Sequence, residues 1–142
     1  MGSEAEPLVS ALERLKTEEG FRSTLYTDTT GHATLGYGFN VSAGISQRVA
    51  AALLQAQLEE LHETLAGYPW YSQCDPVRQS VLLDVAFNIG VTGLLHFSHM
   101  ILAIGHRDWP QAKAQLLDSK AARELPSRYA ALAQLLLTGE RT

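Results

Sequence analysis

Residues 19–39 read EGFRSTLYTDTTGHATLGYGF, and this stretch decides the fold. It is rich in Thr, Tyr and Gly, and Thr29-Thr30-Gly31-His32 has the composition of a turn. From Ala33 to Phe39, small or polar Thr34, Gly36 and Gly38 alternate with large Leu35, Tyr37 and Phe39. A period of two beside a turn predicts a small β hairpin or three-stranded sheet within about 21–45.

The flanks have helical periods. Upstream, Leu8, Leu12 and Leu15 are spaced by four and three, which predicts an amphipathic helix over about 8–19 that stops at Gly20. Downstream, Ser46 is a good N-cap, and Leu54, Leu58, Leu61 and Leu65 predict a long helix over about 47–66, ended by Gly67 and Pro69. Asp75-Pro76 is a cap followed by proline at the first helical position. It opens a helix over about 76–89, closed by Gly90, whose apolar residues go nearly all round and mark it as the buried central helix. Short helices follow at about 98–104, 110–119 and 127–137.

The composition is that of an ordinary globular domain, with 142 residues, 46% hydrophobic and 18% charged. Folding at this length buries roughly 70% of the surface of the open chain, enough for a core without metals or disulfides. Eleven Lys and Arg against fifteen Asp and Glu leave a formal charge of −4, which gives no electrostatic footprint for nucleic acid or anionic lipid. No apolar run reaches the ~18 residues that span a bilayer, and the N-terminal MGSEAEP has neither a basic head nor an apolar signal core. No nucleic-acid partner and no membrane anchor are expected, and residues 1–7 read as a leader or flexible N-terminus. The single cysteine, Cys74, has no motif around it and reads as a partly buried, inert thiol.

The candidate chemistry lies in and beside the quoted stretch. Glu19 continues the Leu8, Leu12, Leu15 stripe, whereas Glu18 turns about 100° away toward the solvated flank. A carboxyl at the edge of an apolar face loses hydration, which raises its pKa toward the range of a general acid. The other reading of Glu19 is a helix-terminal side chain that simply reaches solvent. Asp28 lies in the turn, where an aspartate ordinarily hydrogen-bonds backbone amides. Taken together, the two carboxyls occupy environments that push their pKa values apart, which assigns one as acid and the other as base. Thr34 shares a strand face with Gly36 and Gly38, a floor without side chains where ligand or backbone can approach. Its hydroxyl is placed to hold a water beside Asp28; the plainer reading is an ordinary strand threonine beside glycines that shape the hairpin.

Glu19-Gly20, Tyr26, Asp28, Gly31, Thr34, Gly36 and Gly38, in the order E-G-x5-Y-x-D-x2-G-x2-T-x-G-x-G, resemble the N-terminal active-site segment of bacteriophage lysozymes of the T-even type, glycoside hydrolase family 24. The resemblance continues with Arg78, Phe87, Asn88, Gly90, Gly93 and Phe97 in R-x8-F-N-x-G-x2-G-x3-F, then Trp109, Ala112, Ser119, Pro126-x-Arg128 and Thr138-Gly139. It covers the chain from about 8 to 140.

The resemblance implies an α+β lysozyme-like fold, a single catalytic domain over 8–142. A small β lobe at about 21–45 and a helical lobe made of 8–20 and 67–140 would be joined by the helix at about 47–66, with glycan in the cleft between them. It implies a muramidase that cleaves the β-1,4 bond between N-acetylmuramic acid and N-acetylglucosamine by inversion, with no cofactor and no metal. Glu19 is then the acid that protonates the glycosidic oxygen, Asp28 acts on the attacking water and Thr34 helps to hold that water. Inversion asks for carboxyls about 6.5–9.5 Å apart. Arg128 resembles the arginine that pairs with the catalytic Glu, and Asn88 the amide that faces the cleft; with His32 in the turn, these are the candidate substrate-binding residues. The expected partner is bacterial peptidoglycan and the expected state a monomer. Such a protein would be made in the host cytoplasm without a signal peptide and would act in the periplasm or cell wall after release or delivery by a virion. The alternative is a non-catalytic peptidoglycan-binding or virion-assembly module on the same fold.

Several residues depart from the family pattern. Phe39 stands where many members have His, so the ion pair of that His is expected to be missing. Lys120, Ala121 and Ala122 follow Ser119 in place of a frequent aromatic, which alters one wall of the sugar cleft. The charge of −4 contrasts with the basic character of many lysozymes. Other chemistries find little footing. Of the five histidines only His96 and His99 have a helical i, i+3 spacing, without a nearby Cys, and the Asp28 turn has too few carboxylates for a calcium loop. Trp70, Tyr71 and Trp109 read as core aromatics.

Overall fold

A computed structural model describes residues 5–140, and it is mostly helical with one small antiparallel sheet, the α+β class expected. The chain divides into two compact units, with the boundary between Ala51 and Ala52. That boundary falls inside a long helix, and each unit is described by itself.

The first unit opens with α1, Ala5–Glu19. The helix starts ahead of the expected position 8, so Ala5, Glu6 and Pro7 are helical; the rest of the expected leader lies outside the described residues. Gly20 ends α1 at φ +69, a left-handed conformation that glycine adopts without strain, and its N–H reaches back to Lys16 O at 3.1 Å. The chain then enters β1 (Arg22–Thr27), β2 (Ala33–Gly36) and β3 (Phe39–Asn40), paired in the order β1-β2-β3. Tyr26 faces Thr34 and Thr34 faces Asn40, so one cross-strand row holds all three; an irregularity in β1 lies between Arg22 and Tyr26. The first helix falls in the same unit as the sheet, and the reversal at Gly20 leads α1 directly into β1. Within this unit little covers the leucine stripe, with Leu8 71% and Leu15 47% exposed.

A short 3-10 turn, Val41–Ala43, leads to α2, Gln47–Leu65. Ser46 caps it as expected, its Oγ accepting the Val49 N–H at 3.2 Å.

The second unit contains the rest of α2 and then α3 (Pro69–Ser72), α4 (Pro76–Leu95), α5 (Ser98–Gly105), α6 (Trp109–Leu117), α7 (Lys120–Glu124) and α8 (Pro126–Thr138). Here the core is fully formed. Leu65, Tyr71, Val81, Leu82, Val85, Leu94, Met100, Leu116, Tyr129 and Leu136 are all buried. Each such aliphatic side chain contributes about 1.5–3 kcal/mol of transfer free energy. Asp75 caps α4 by accepting the Arg78 N–H at 3.1 Å, with Pro76 in the first turn.

Gly90 leaves the helical dihedrals at φ 83 and ψ 160, so the helix closes there as expected, and a further helical stretch follows beyond this kink to Leu95. One expectation for α4 needs correction. Phe87, expected inside, is 45% exposed, so the helix is buried on one side only. The small α3 and α7 also lie in stretches that had no helical period. Each is a single turn, too short to show one, and Ser119 starts α7 by accepting the Ala122 N–H at 3.0 Å.

Arg78 ties the start of α4 to the end of α8. Its Nε and Nη2 donate to Leu136 O and Leu137 O at 2.7 and 2.8 Å, Nη1 donates to Asp75 Oδ1 at 3.0 Å, and the guanidinium lies 3.7 Å from the Trp109 ring centre. It thereby satisfies carbonyls at the C-terminus of α8 that lack helical partners. No single helix among the described residues is long and apolar enough to cross a membrane.

Candidate active site

Glu19, Asp28, Thr34 and His32 all lie in the first unit. Glu19 is the last residue of α1 and its carboxyl rests on the turn between β2 and β3. A β-carbon at residue 38 would stand 2.6 Å from Glu19 Oε2 and 2.9 Å from its Cδ, so a side chain there would push the flexible Glu19 carboxyl off this seat. Gly38 also has φ +74, which gives it a second reason to be glycine. The floor expected at Gly36 and Gly38 is therefore half filled by Glu19 itself, while Gly36 faces open space. Within this unit Glu19 is exposed, as are Leu12 and Leu15 of its stripe at 51% and 47%.

Asp28 closes the β1–β2 turn. Its Oδ1 accepts three hydrogen bonds, from Thr30 N at 2.9 Å, Thr30 Oγ1 at 2.8 Å and His32 N at 2.8 Å. The main chain adds Asp28 N to His32 O at 2.9 Å and Gly31 N to Asp28 O at 3.1 Å. The His32 N–H first, and then the Thr30 hydroxyl, hold the Asp28 carboxyl below the ordinary value of 3.8, against the opposing effect of burial. Asp28 is thus an ionised carboxylate at neutral pH, with one oxygen engaged by the turn.

Thr34 is buried, at 3% exposure, and its hydroxyl donates to His32 O at 2.9 Å. With that proton committed, the hydroxyl can meet a water only as an acceptor. Opposite it, Asn40 Oδ1 is buried and has no hydrogen-bond partner among the described residues. His32 is half exposed, with Nδ1 2.7 Å from Thr30 Oγ1 and 3.7 Å from Asp28 Oδ2.

Asn88 and Arg128 belong to the second unit. Asn88 Oδ1 accepts the hydroxyl proton of buried Tyr129 at 2.6 Å, which leaves its NH2 group as the donor end. Arg128 donates through Nε and Nη2 to Asp84 Oδ1, and this hydrogen bond raises the guanidinium further above its ordinary value. The partner Arg128 takes in its own unit is therefore Asp84, a residue that no sequence motif singled out. Thr30 was also passed over, although Asp-x-Thr is the pattern of a turn in which hydroxyl and amide both return to the carboxylate.

A family model described as "Phage lysozyme" matches residues 16–131. The pre-baseplate central spike protein Gp5 of Enterobacteria phage T4 is 24% identical over 94% of this chain, which spans 28% of that relative's length. A probable T4-type lysozyme 1 of Dictyostelium discoideum is 22% identical over 93% of this chain and 96% of its own.

Proposed function

Because the chain belongs to the phage lysozyme family, we propose that it is a muramidase that hydrolyses the β-1,4 bond between N-acetylmuramic acid and N-acetylglucosamine in peptidoglycan, with inversion. The family supports a peptidoglycan hydrolase in general terms. The observation that supports the finer reading is that both carboxyls lie in the first unit, Glu19 against the β2–β3 turn and Asp28 in the β1–β2 turn. Glu19 is seated on the Gly38 turn, and Asp28 is held ionised by the neighbouring turn.

Glu19 supplies the proton to the leaving glycosidic oxygen. Asp28 takes a proton from the attacking water, whose oxygen bonds to the anomeric carbon on the opposite face. Thr34 accepts a hydrogen bond from that water. Asn88, Arg128 and His32 are assigned to substrate contacts, Asn88 through its NH2 group. Acid, base and water complete the reaction without a cofactor. The partner is bacterial peptidoglycan, met by a monomer in the periplasm or cell wall.

The spike protein's name favours a second reading, in which a related domain serves a virion structure as a wall-binding or assembly module. One experiment separates the two. Wild type and Glu19→Gln are compared for clearing of a cell-wall suspension, for retention on purified wall, and for the anomer first released. Muramidase activity predicts clearing with an inverted product, lost in Glu19→Gln while wall retention persists. A variant that clears as fast as wild type overturns the acid assignment, and a wild type that binds wall but cuts no glycan establishes the module.

A further inference from the structure

Thr30 touches both Asp28 and His32. Its Oγ1 lies 2.8 Å from Asp28 Oδ1 and 2.7 Å from His32 Nδ1. A hydroxyl has one proton and an ionised carboxylate has none. The Oγ1–Oδ1 contact is attractive only with a proton between the two oxygens, and with Asp28 ionised that proton belongs to Thr30. A lone pair of Thr30 then faces His32 Nδ1, which must donate. The order of donors runs one way, from His32 Nδ1–H to Thr30 Oγ1, and from Thr30 Oγ1–H to Asp28 Oδ1.

The result divides the carboxylate. Oδ1 receives all three donors of the turn, whereas Oδ2 has no hydrogen bond among the described residues and meets only His32 Nδ1, at 3.7 Å. We propose that Thr30 and His32 are positioning residues for Asp28, holding Oδ1 so that Oδ2 is the oxygen presented to the attacking water, and that the same chain keeps neutral His32 in its Nδ1–H tautomer. The positioning role rests on the reading of Asp28 as the base; the tautomer does not. Free neutral histidine favours the Nε2–H form, so the turn imposes a detectable inversion. Nε2 of neutral His32 is left as an acceptor, suited to a hydroxyl or N-acetyl N–H of a sugar.

The test uses the full chain with 15N-labelled histidine. Long-range 1H–15N correlation spectra, taken with the imidazole rings neutral, are expected to show the Nδ1–H tautomer in wild type and Thr30→Ser, and the Nε2–H tautomer in Thr30→Val. Turnover of a soluble peptidoglycan oligosaccharide is expected to fall roughly tenfold or more in kcat for Thr30→Val, with KM little changed, and to be restored by Thr30→Ser. An Nε2–H tautomer in wild type overturns the proposal whatever the activity, and needs no variant to fold. A tautomer that inverts in Thr30→Val without loss of kcat overturns the positioning role. Full activity in Asp28→Asn points instead to failure of the base assignment, which keeps the two failures apart.

Discussion

At the scale of single residues, Asp28 sets the sign of a pH response. Its folded pKa lies below the ordinary 3.8, through the His32 N–H and the Thr30 hydroxyl in that order. A depressed carboxyl contributes stability that is complete above its unfolded value and is lost as the pH falls through the lower folded value. The window is therefore the acid side of about pH 4. Urea unfolding of wild type and Asp28→Asn between pH 2 and 7 is expected to show the variant less stable at neutral pH and less sensitive to acid below 4. Parallel loss of stability in both chains would show that the turn does not depend on this charge. The place of Asp28 in a turn was legible in sequence from the Thr-Thr-Gly-His run that follows it. The division of labour between its two oxygens was not, because it depends on which donors the folded turn brings to each.

At the scale of elements, the junction of α1 with the β2–β3 turn is what places Glu19. Gly36 and Gly38 both have positive φ, +68 and +74, so alanine at either carries a left-handed strain of about 1–2 kcal/mol. Only at 38 would the new methyl meet Glu19; at 36 it meets open space. Gly36→Ala and Gly38→Ala are thus expected to lower the melting temperature by similar amounts, while wall lysis falls strongly in Gly38→Ala alone. Equal activity in the two variants would remove the contact from the account. The period-two pattern revealed the sheet, and the leucine spacing revealed α1 and α2. Neither periodicity says which glycine a helix end will touch, and single-turn helices such as α3 and α7 have no period to read.

For the whole chain, the proposed function makes the charge of −4 a long-range force against approach to an anionic wall. Long-range forces oppose approach at low ionic strength, and the Debye length shrinks from about 30 Å at 0.01 M salt to about 10 Å at 0.1 M. Lysis of intact walls is expected to rise, or at least to hold, as salt increases across that range. The same titration on a neutral soluble oligosaccharide is expected to be flat. A steep fall with salt on walls would reveal a cationic docking face that outweighs the net charge.

Local order sufficed for the α+β class, the major helices, the turn at Asp28 and the stripe position of Glu19, because period, capping and glycine placement act over a few residues and are written consecutively in the chain. The seat of Glu19 on Gly38, the bonding of Arg128 to Asp84 and that of Asn88 to Tyr129 were decided only by tertiary structure. Each depends on which groups meet across elements. A hydrogen bond between residues 41 or 44 positions apart follows from how helices pack and leaves no trace in local pattern.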